Sequence, residues 1–377
     1  MATQKAAILH SPELAAYHYP DDCPFKTERA PEMLRILASN DDGFFSVIAP
    51  RPATKEELLQ FHTEEYRGIL ERVSGGVFTA DDLFYGLGTA DTPVFHDLYP
   101  YACLAAGASI GAAELILSGE SHYCFNPSGG YHHAYADKAG GFCYINDVVL
   151  ACKTLVNAGK RVFCLDLDAH HGNGTQTAFY NDPRVFTVSL HESGKTLFPW
   201  GGNEDEIGEG GGRGYNVNLS LPAGTDDDAY TKIFPQVVPP LIGAFKPDVI
   251  VLEIGMDVLS VDPLTHLSMT NNAIADVLPH LSTAGAGVPI LAVGGGGYNP
   301  DAAARGWALC WQTICGVATE SDLTIGMGGM FLGNAEWHGG LRDMRSYARG
   351  EEKQAIDEQL QESVAYIQEK IFPLHGI

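Results

Sequence analysis

Residues 161–172, RVFCLDLDAHHG, decide the fold. The first seven are a short apolar run carrying β-branched and aromatic residues, and the rest turn abruptly polar and metal-capable. Three other segments repeat the arrangement. Residues 185–190 (VFTVSL) precede His191, residues 248–254 (DVIVLEI) precede Gly255-Met256-Asp257, and residues 289–293 (PILAV) precede four glycines and Tyr298. Continuous apolar runs of this length suit parallel strands covered on both faces. Helix patterns at 145–158, Asp227–Phe245, Asn271–Ala284 and 300–315 surround them. The alternation predicts an α/β domain around a central, mostly parallel sheet. In such sheets ligands bind beyond the carboxyl ends of the strands, so four strand ends bring polar groups to one rim.

Working outward, the 377 residues are enough for a substantial core, and no repeat, low-complexity tract or linker divides them. A single domain over 1–377 is expected, with 333–377 a C-terminal extension. Its amphipathic pattern at 351–371 predicts a last helix, packed on the domain or on a second subunit, and the oligomeric state stays open. The formal charge of -24 excludes a basic nucleic-acid surface and favours cationic ligands, although acidity also simply keeps a protein soluble. The eight cysteines form no CxxC pair, several lie in apolar stretches, and the first residues lack a signal-peptide pattern. The expectation is a cytoplasmic protein with reduced thiols. The uncharged stretch 98–113 is weaker than a membrane span and reads as a buried helix rich in small residues, so no membrane partner is expected.

Asp166, Asp168 and His170 stand at i, i+2 and i+4, which puts them on one face while the chain stays extended. Asp168 and His170 with Asp257 would give three ligands, as in catalytic rather than structural zinc sites. Alone, DxDxH is also an ordinary loop. His132-His133, in a loop dense in turn formers, read on their own as surface residues; a functional role needs partners, and Asp166 and Asn173 are available. Gly294–Gly297 lack the lysine and hydroxyl of a phosphate loop. They permit close backbone approach and place Tyr298, which could hydrogen-bond an oxyanion. Asp226–Asp228 read as favourable charge at a helix start.

At these residues the sequence resembles the histone deacetylase family, including its acetoin-utilisation and acetylpolyamine amidohydrolase relatives, and is closest to a class I-like branch. The matching segments are Gly129-Gly-Tyr-His-His-Ala, Gly140-Gly-Phe-Cys-Tyr-Ile-Asn-Asp147, Asp166-Leu-Asp-Ala-His-His-Gly172, Thr187-Val-Ser-Leu-His191, Gly255-Met-Asp257 and Gly294-Gly-Gly-Gly-Tyr298, in the family's order. The resemblance implies an arginase-like α/β fold with about eight strands, and removal of acetyl or other acyl groups from lysine side chains or related amines. It implies zinc on Asp168, His170 and Asp257, His133 as general base and acid, and His132 in support, with Asp166 and Asn173 behind the pair. Tyr298 would stabilise the oxyanion. It further implies a tunnel lined by Gly141, Phe142 and Phe198 with Leu264 near its mouth, Asp91 at the rim, and structural potassium near Asp166, Asp168, His170, Ser189 and Leu190. The two-manganese chemistry of arginase relatives is disfavoured, because Gly172 and Val258-Leu259 stand where further aspartates are needed. Three departures stand out: Asn173 where class I members carry aspartate, Met256 in place of a small residue beside the metal aspartate, and Tyr131 before the histidines. Met256 is expected to narrow the floor of the site, and Tyr131 to reshape its wall.

Overall fold

The computed structural model describes residues 5–17, 19–38, 43–285, 287–317, 340–345 and 347–377. Its strands are β1 Ala6–Leu9, β2 Ser46–Ile48, β3 Tyr123–Asn126, β4 Val162–Asp166, β5 Val185–Glu192, β6 Asn216–Leu221, β7 Val249–Glu253 and β8 Ile290–Val293. They form one eight-stranded sheet in the order β2-β1-β3-β8-β7-β4-β5-β6, with every neighbouring pair parallel. The helices among the described residues are α1 Pro12–Ala16, α2 Arg29–Ala38, α3 Lys55–Leu58, α4 Glu64–Ser74, α5 Leu98–Ser118, α6 Asp147–Asn157, α7 Asn173–Phe179, α8 Asp227–Phe245, α9 Asn271–Ala284, α10 Pro300–Ile314 and α11 Gly350–Lys370.

The inner strands β3, β8, β7, β4 and β5 are buried on both faces, which is why most of their sequences run apolar without alternation, whereas the edge strand β2 is largely exposed. In β4, Phe163 and Leu165 join the core beneath α2, α8, α9 and α10, while Val162 and Cys164 join the core beneath α5 and α6. Helix α5 is long and apolar enough by composition to cross a membrane, yet 72% of its most apolar window is buried inside the protein. It packs on α6 and β3 through alanine, glycine and serine, a core helix whose small residues allow close approach. Asp226 caps α8 by accepting from Ala229 N at 2.9 Å, as its place before the helix suggested.

Strands β4, β5 and β6 run outward in sequence order, and β7 and β8 return to fill the gap between β4 and β3. The register then lines up one row of residues at the carboxyl ends. Asn126 pairs with Val293, Val293 with Glu253, Glu253 with Asp166, Asp166 with Ser189, and Ser189 with Asn218. All of this row faces the α5–α6 side, so an apolar layer ends in a polar one. Beyond it lie the loops that carry the chemistry.

Helix α11 packs on α8 and the edge strand β6, burying Ile356, Leu360, Val364 and Ile367. Residues 333–339 of the anticipated extension, Trp337 among them, lie outside the described residues.

Candidate active site

The loop after β3 delivers the histidine pair, and two residues hold it. Asp147, at the start of α6, accepts from Gly130 N at 3.1 Å, Tyr131 N at 2.8 Å and Ser109 Oγ at 2.5 Å. Asn146 caps α6 by accepting from Val149 N at 2.9 Å, and its amide donates to the carbonyls of His132 at 3.2 Å and Ala134 at 3.1 Å. Replacing Asn146 by alanine removes the cap and orphans buried carbonyls, and is expected to cost about 2–4 kcal/mol in a denaturant melt. A loss under about 0.5 kcal/mol would show that water replaces these bonds.

His132 and His133 are buried, with rings 4.1 Å apart and facing Nε2 atoms 3.1 Å apart. His132 Nδ1 lies 2.8 Å from Asp166 Oδ2 and 3.1 Å from Glu253 Oε1. Burial works against charge on His132, but Asp166 and Asp168 outweigh it and raise its pKa. Burial, with His132 and His170 beside it, holds His133 well below the ordinary imidazole range. Of the pair, His132 is therefore the ring that holds a proton more readily and His133 the one biased toward the neutral form. His133 Nδ1 meets Asn173 Oδ1 at 2.8 Å, and the Asn173 amide donates to the Tyr135 hydroxyl at 2.9 Å. That second bond points the amide oxygen at His133, so His133 carries its proton on Nδ1 and keeps Nε2 as an acceptor.

Strand β4 ends at Asp166, so the extended, same-face geometry expected through His170 stops there. Asp166 Oδ1 accepts from Asp168 N at 3.0 Å and Asp168 Oδ1 from His170 N at 2.8 Å, and these turns bend the chain. The bend separates the roles: Asp166 reaches back to His132, while Asp168 and His170 meet Asp257 from the end of β7. His170 Nδ1 lies 3.2 Å from Asp168 Oδ1 and 2.8 Å from Asp257 Oδ2. Ligand atoms of Asp168, His170 and Asp257 all fall within 4.8 Å of one another, as do those of His132, Asp168 and Glu253.

Charge in this set is out of balance. Burial and the neighbouring Asp168 push Asp257 up to about 7. Burial opposes the charge on Asp168, but His132 and His170 hold it below the usual carboxylate range. Burial also opposes the imidazolium of His170, yet its bonds to Asp168 and Asp257 push it up to about 10. Two carboxylates and an imidazole gathered out of water are an arrangement that a dication would relieve. Glycine makes room for it: a Cβ on Gly296 would stand 2.0 Å from Asp257 Oδ2 and 3.0 Å from Asp168 Oδ2. Gly296 N donates to Asp168 Oδ2 at 2.6 Å, so the glycine run is a backbone cradle for the carboxylates.

Tyr298 closes the site. Its ring stands 6.4 Å from His170 and 5.5 Å from Phe142. Burial, then Asp257 and Asp168, raises its hydroxyl well above 10, so it stays a donor. Phe198 lies 5.0 Å from His133 and 6.4 Å from His170. Gly141 has φ 52, and a Cβ there would strike the His133 ring at 2.3 Å, which is why a glycine precedes Phe142. Asp91 is exposed and bonded through its carbonyl to Phe142 N at 2.8 Å. Leu264 is half-buried, its N–H on Asp262 at 2.9 Å. Ser189 Oγ meets His191 Nδ1 at 2.7 Å, and Leu190 is fully buried on β5. Met256 packs its sulfur against Gly306 of α10 within the main core rather than flooring the site. Tyr131 bonds its hydroxyl to that of Tyr101 at 2.5 Å and lies near Phe25, packed in the core cluster behind Phe142 and Tyr298.

Four residues escaped the sequence reading. Glu253, completely buried with burial and Asp166 pushing its carboxyl well up, sits beside His132. Tyr135 orients Asn173. Asp262 accepts from Tyr298 N at 2.7 Å. Arg29, buried at the start of α2, donates to the carbonyls of Gly295 and Gly297 at 3.0 Å and lies over Phe25 and Trp307, fixing the glycine run from outside.

Two carboxylates and one imidazole, three ligands rather than four, are the donor set of catalytic zinc, and place the chain among zinc-dependent hydrolases. Comparison with known proteins narrows the class. Residues 23–314 match the histone deacetylase domain. The acetoin utilization protein AcuC of Bacillus subtilis is 37% identical over 322 residues, covering 83% of this chain and 82% of the relative. Histone deacetylase 8 of Xenopus laevis is 37% identical over 279 residues, 74% and 85% of the two chains. The crystal structure of an HDAC homolog from Aquifex aeolicus, 32% identical, superposes with a TM-score of 0.82 over 96% of this chain and 100% of that one. The chain belongs to the histone deacetylase family.

Proposed function

We propose that this protein hydrolyses the amide bond of an N-acylated amine, with an acetylated lysine side chain as the leading substrate. The observation that carries the reading is the convergence of His133, bonded at Nδ1 to Asn173 Oδ1, the Asp168–His170–Asp257 set and the Tyr298 ring around one space. Asp168, His170 and Asp257 would hold zinc, which when bound supplies Lewis acidity toward a carbonyl and makes water more acidic. His133 Nε2 accepts the proton of the attacking water as the new C–O bond forms. It returns that proton to the amine nitrogen as the C–N bond breaks, releasing carboxylate and free amine. The charge on His132, balanced by Asp166, keeps His133 a weak base in the resting site. The Tyr298 hydroxyl donates to the oxygen that gains charge. Phe142 and Phe198 flank an aliphatic chain, with Gly141 beneath it, and Asp91 and Leu264 stand toward the mouth. Potassium near Asp166, Asp168, His170, Ser189 and Leu190 belongs to the same reading and rests on the family resemblance alone.

The test is acetate release from an acetyl-lysine peptide together with metal analysis. Zinc near one per chain with turnover is the expected result. Turnover confined to acetylpolyamines or longer acyl chains would move the substrate within the class. No metal and no turnover on any acyl amine would sink the reading in favour of a silent binder.

Asn173 sets the pH dependence. Activity needs neutral His133, so it is present above that pKa and lost as pH falls through it. A carboxylate at 173 favours the imidazolium and raises the pKa. Asn173→Asp should therefore move the acidic limb of kcat/KM to higher pH by about one unit. An unmoved limb would remove His133 from the base role.

A further inference from the structure

Trp200 is 67% exposed and has φ 64, in the left-handed region that favours glycine. A bulky residue is disfavoured there, and an indole left mostly in water returns little burial. Packing does not account for it, so its position does. Trp200 follows Phe198 by two residues, and Phe198 stands over His133 and His170. The other aromatic wall, Phe142, stands against Tyr298 and is bonded to the carbonyl of exposed Asp91. Each wall of the site thus continues outward into an exposed residue, an indole from one and a carboxylate from the other. The loop carrying Trp200 goes on through Glu204, Asp205 and Glu206, with Lys195 the one cation between residues 193 and 206.

We propose that Trp200 is a specificity-determining residue at the mouth, selecting acylated amines that carry a second, positively charged group next to the acylated one. An ammonium or guanidinium seated on the exposed indole face is stabilised by the ring quadrupole, and the net charge of the chain favours its approach. The inference rests on the acyl-amine reading above and names its substrate class. An arginine or lysine flanking an acetyl-lysine and the free ammonium of an acetylpolyamine share this chemistry.

The experiment uses zinc-loaded protein and three acetyl-lysine peptides with arginine, alanine or glutamate beside the modified lysine, plus an acetylpolyamine. Binding is measured by calorimetry and turnover as kcat/KM, at about 150 mM salt to screen the distant charge. The native protein should prefer the arginine peptide over the glutamate peptide by about fivefold. Trp200→Gly and Trp200→Ala should lose most of that ratio, and Trp200→Phe should keep most of it. Trp200→Gly should also melt about 2 °C higher, since glycine relieves the backbone. A full ratio in Trp200→Gly would assign the preference to net charge and overturn the proposal, as would equal binding of the peptides by native protein. Preference for the acetylpolyamine over every peptide, lost with the indole, would support it with the small amine as the source. Selective binding that needs Trp200 but leads to no turnover would support the mouth assignment while removing the hydrolase reading.

Discussion

Asp168→Ala protein is expected to purify without zinc and to release no measurable acetate. The substitution takes away one of two buried carboxylates around His170 and leaves Gly296 N, which donates to Asp168 Oδ2 at 2.6 Å, without its acceptor. Loss of a group behind a metal ligand already costs about 10–100-fold in affinity, so loss of a ligand itself should exceed about 100-fold. Zinc content by plasma emission and a circular dichroism melt separate metal loss from unfolding. Asp168→Asn, which keeps the volume and one acceptor oxygen, controls for the latter. Stoichiometric zinc in Asp168→Ala, with turnover within tenfold of native, would show that the ion is held elsewhere, with the His132–Asp168–Glu253 group as the alternative to examine.

Tyr298→Phe should give the opposite pattern: full zinc content, nearly unchanged KM, and kcat lower by about 10²–10³-fold, the usual cost of one oxyanion donor. The hydroxyl is held protonated by burial and by Asp257 and Asp168, so it is a donor through the whole working pH range. A parallel fall in kcat and kcat/KM identifies an interaction made in the transition state. A kcat within about threefold of native would leave Tyr298 a wall residue and pass oxyanion stabilisation to another group.

Much of this was legible because strands covered on both faces write themselves as apolar runs. β4, β5, β7 and β8 stood out for that reason, and the polar residues ending them pointed to the rim. β2 (SVI) is three residues at a largely exposed edge, and β6 (NVNLSL) alternates, so neither carries that signature; β1 (AAIL) and β3 (YCFN) are four-residue runs not followed directly by a metal-capable cluster. Glu253 was hidden inside DVIVLEI, where it looked like one polar residue in a strand. Its meaning comes from register, since β7 pairs it with Asp166 and so brings it to His132. Arg29 left no local trace, because its partners Gly295 and Gly297 are 266 and 268 residues away and meet it only through packing of α2 on α10. Met256 misled for a related reason: its neighbour in sequence is a candidate metal ligand, but its side chain follows the packing of α10.

The seat of α11 on β6 has a bearing on how the chain is made. Strand β6 closes one side of the sheet, and the helix that packs on it is encoded far downstream, after β7 and β8 have been inserted. During synthesis a ribosome-bound intermediate can pair all eight strands while the β6 side still shows backbone and apolar side chains to solvent. That is the surface through which nascent chains adhere to one another. Ile356, Leu360, Val364 and Ile367 can cover that surface only once α11 has been made.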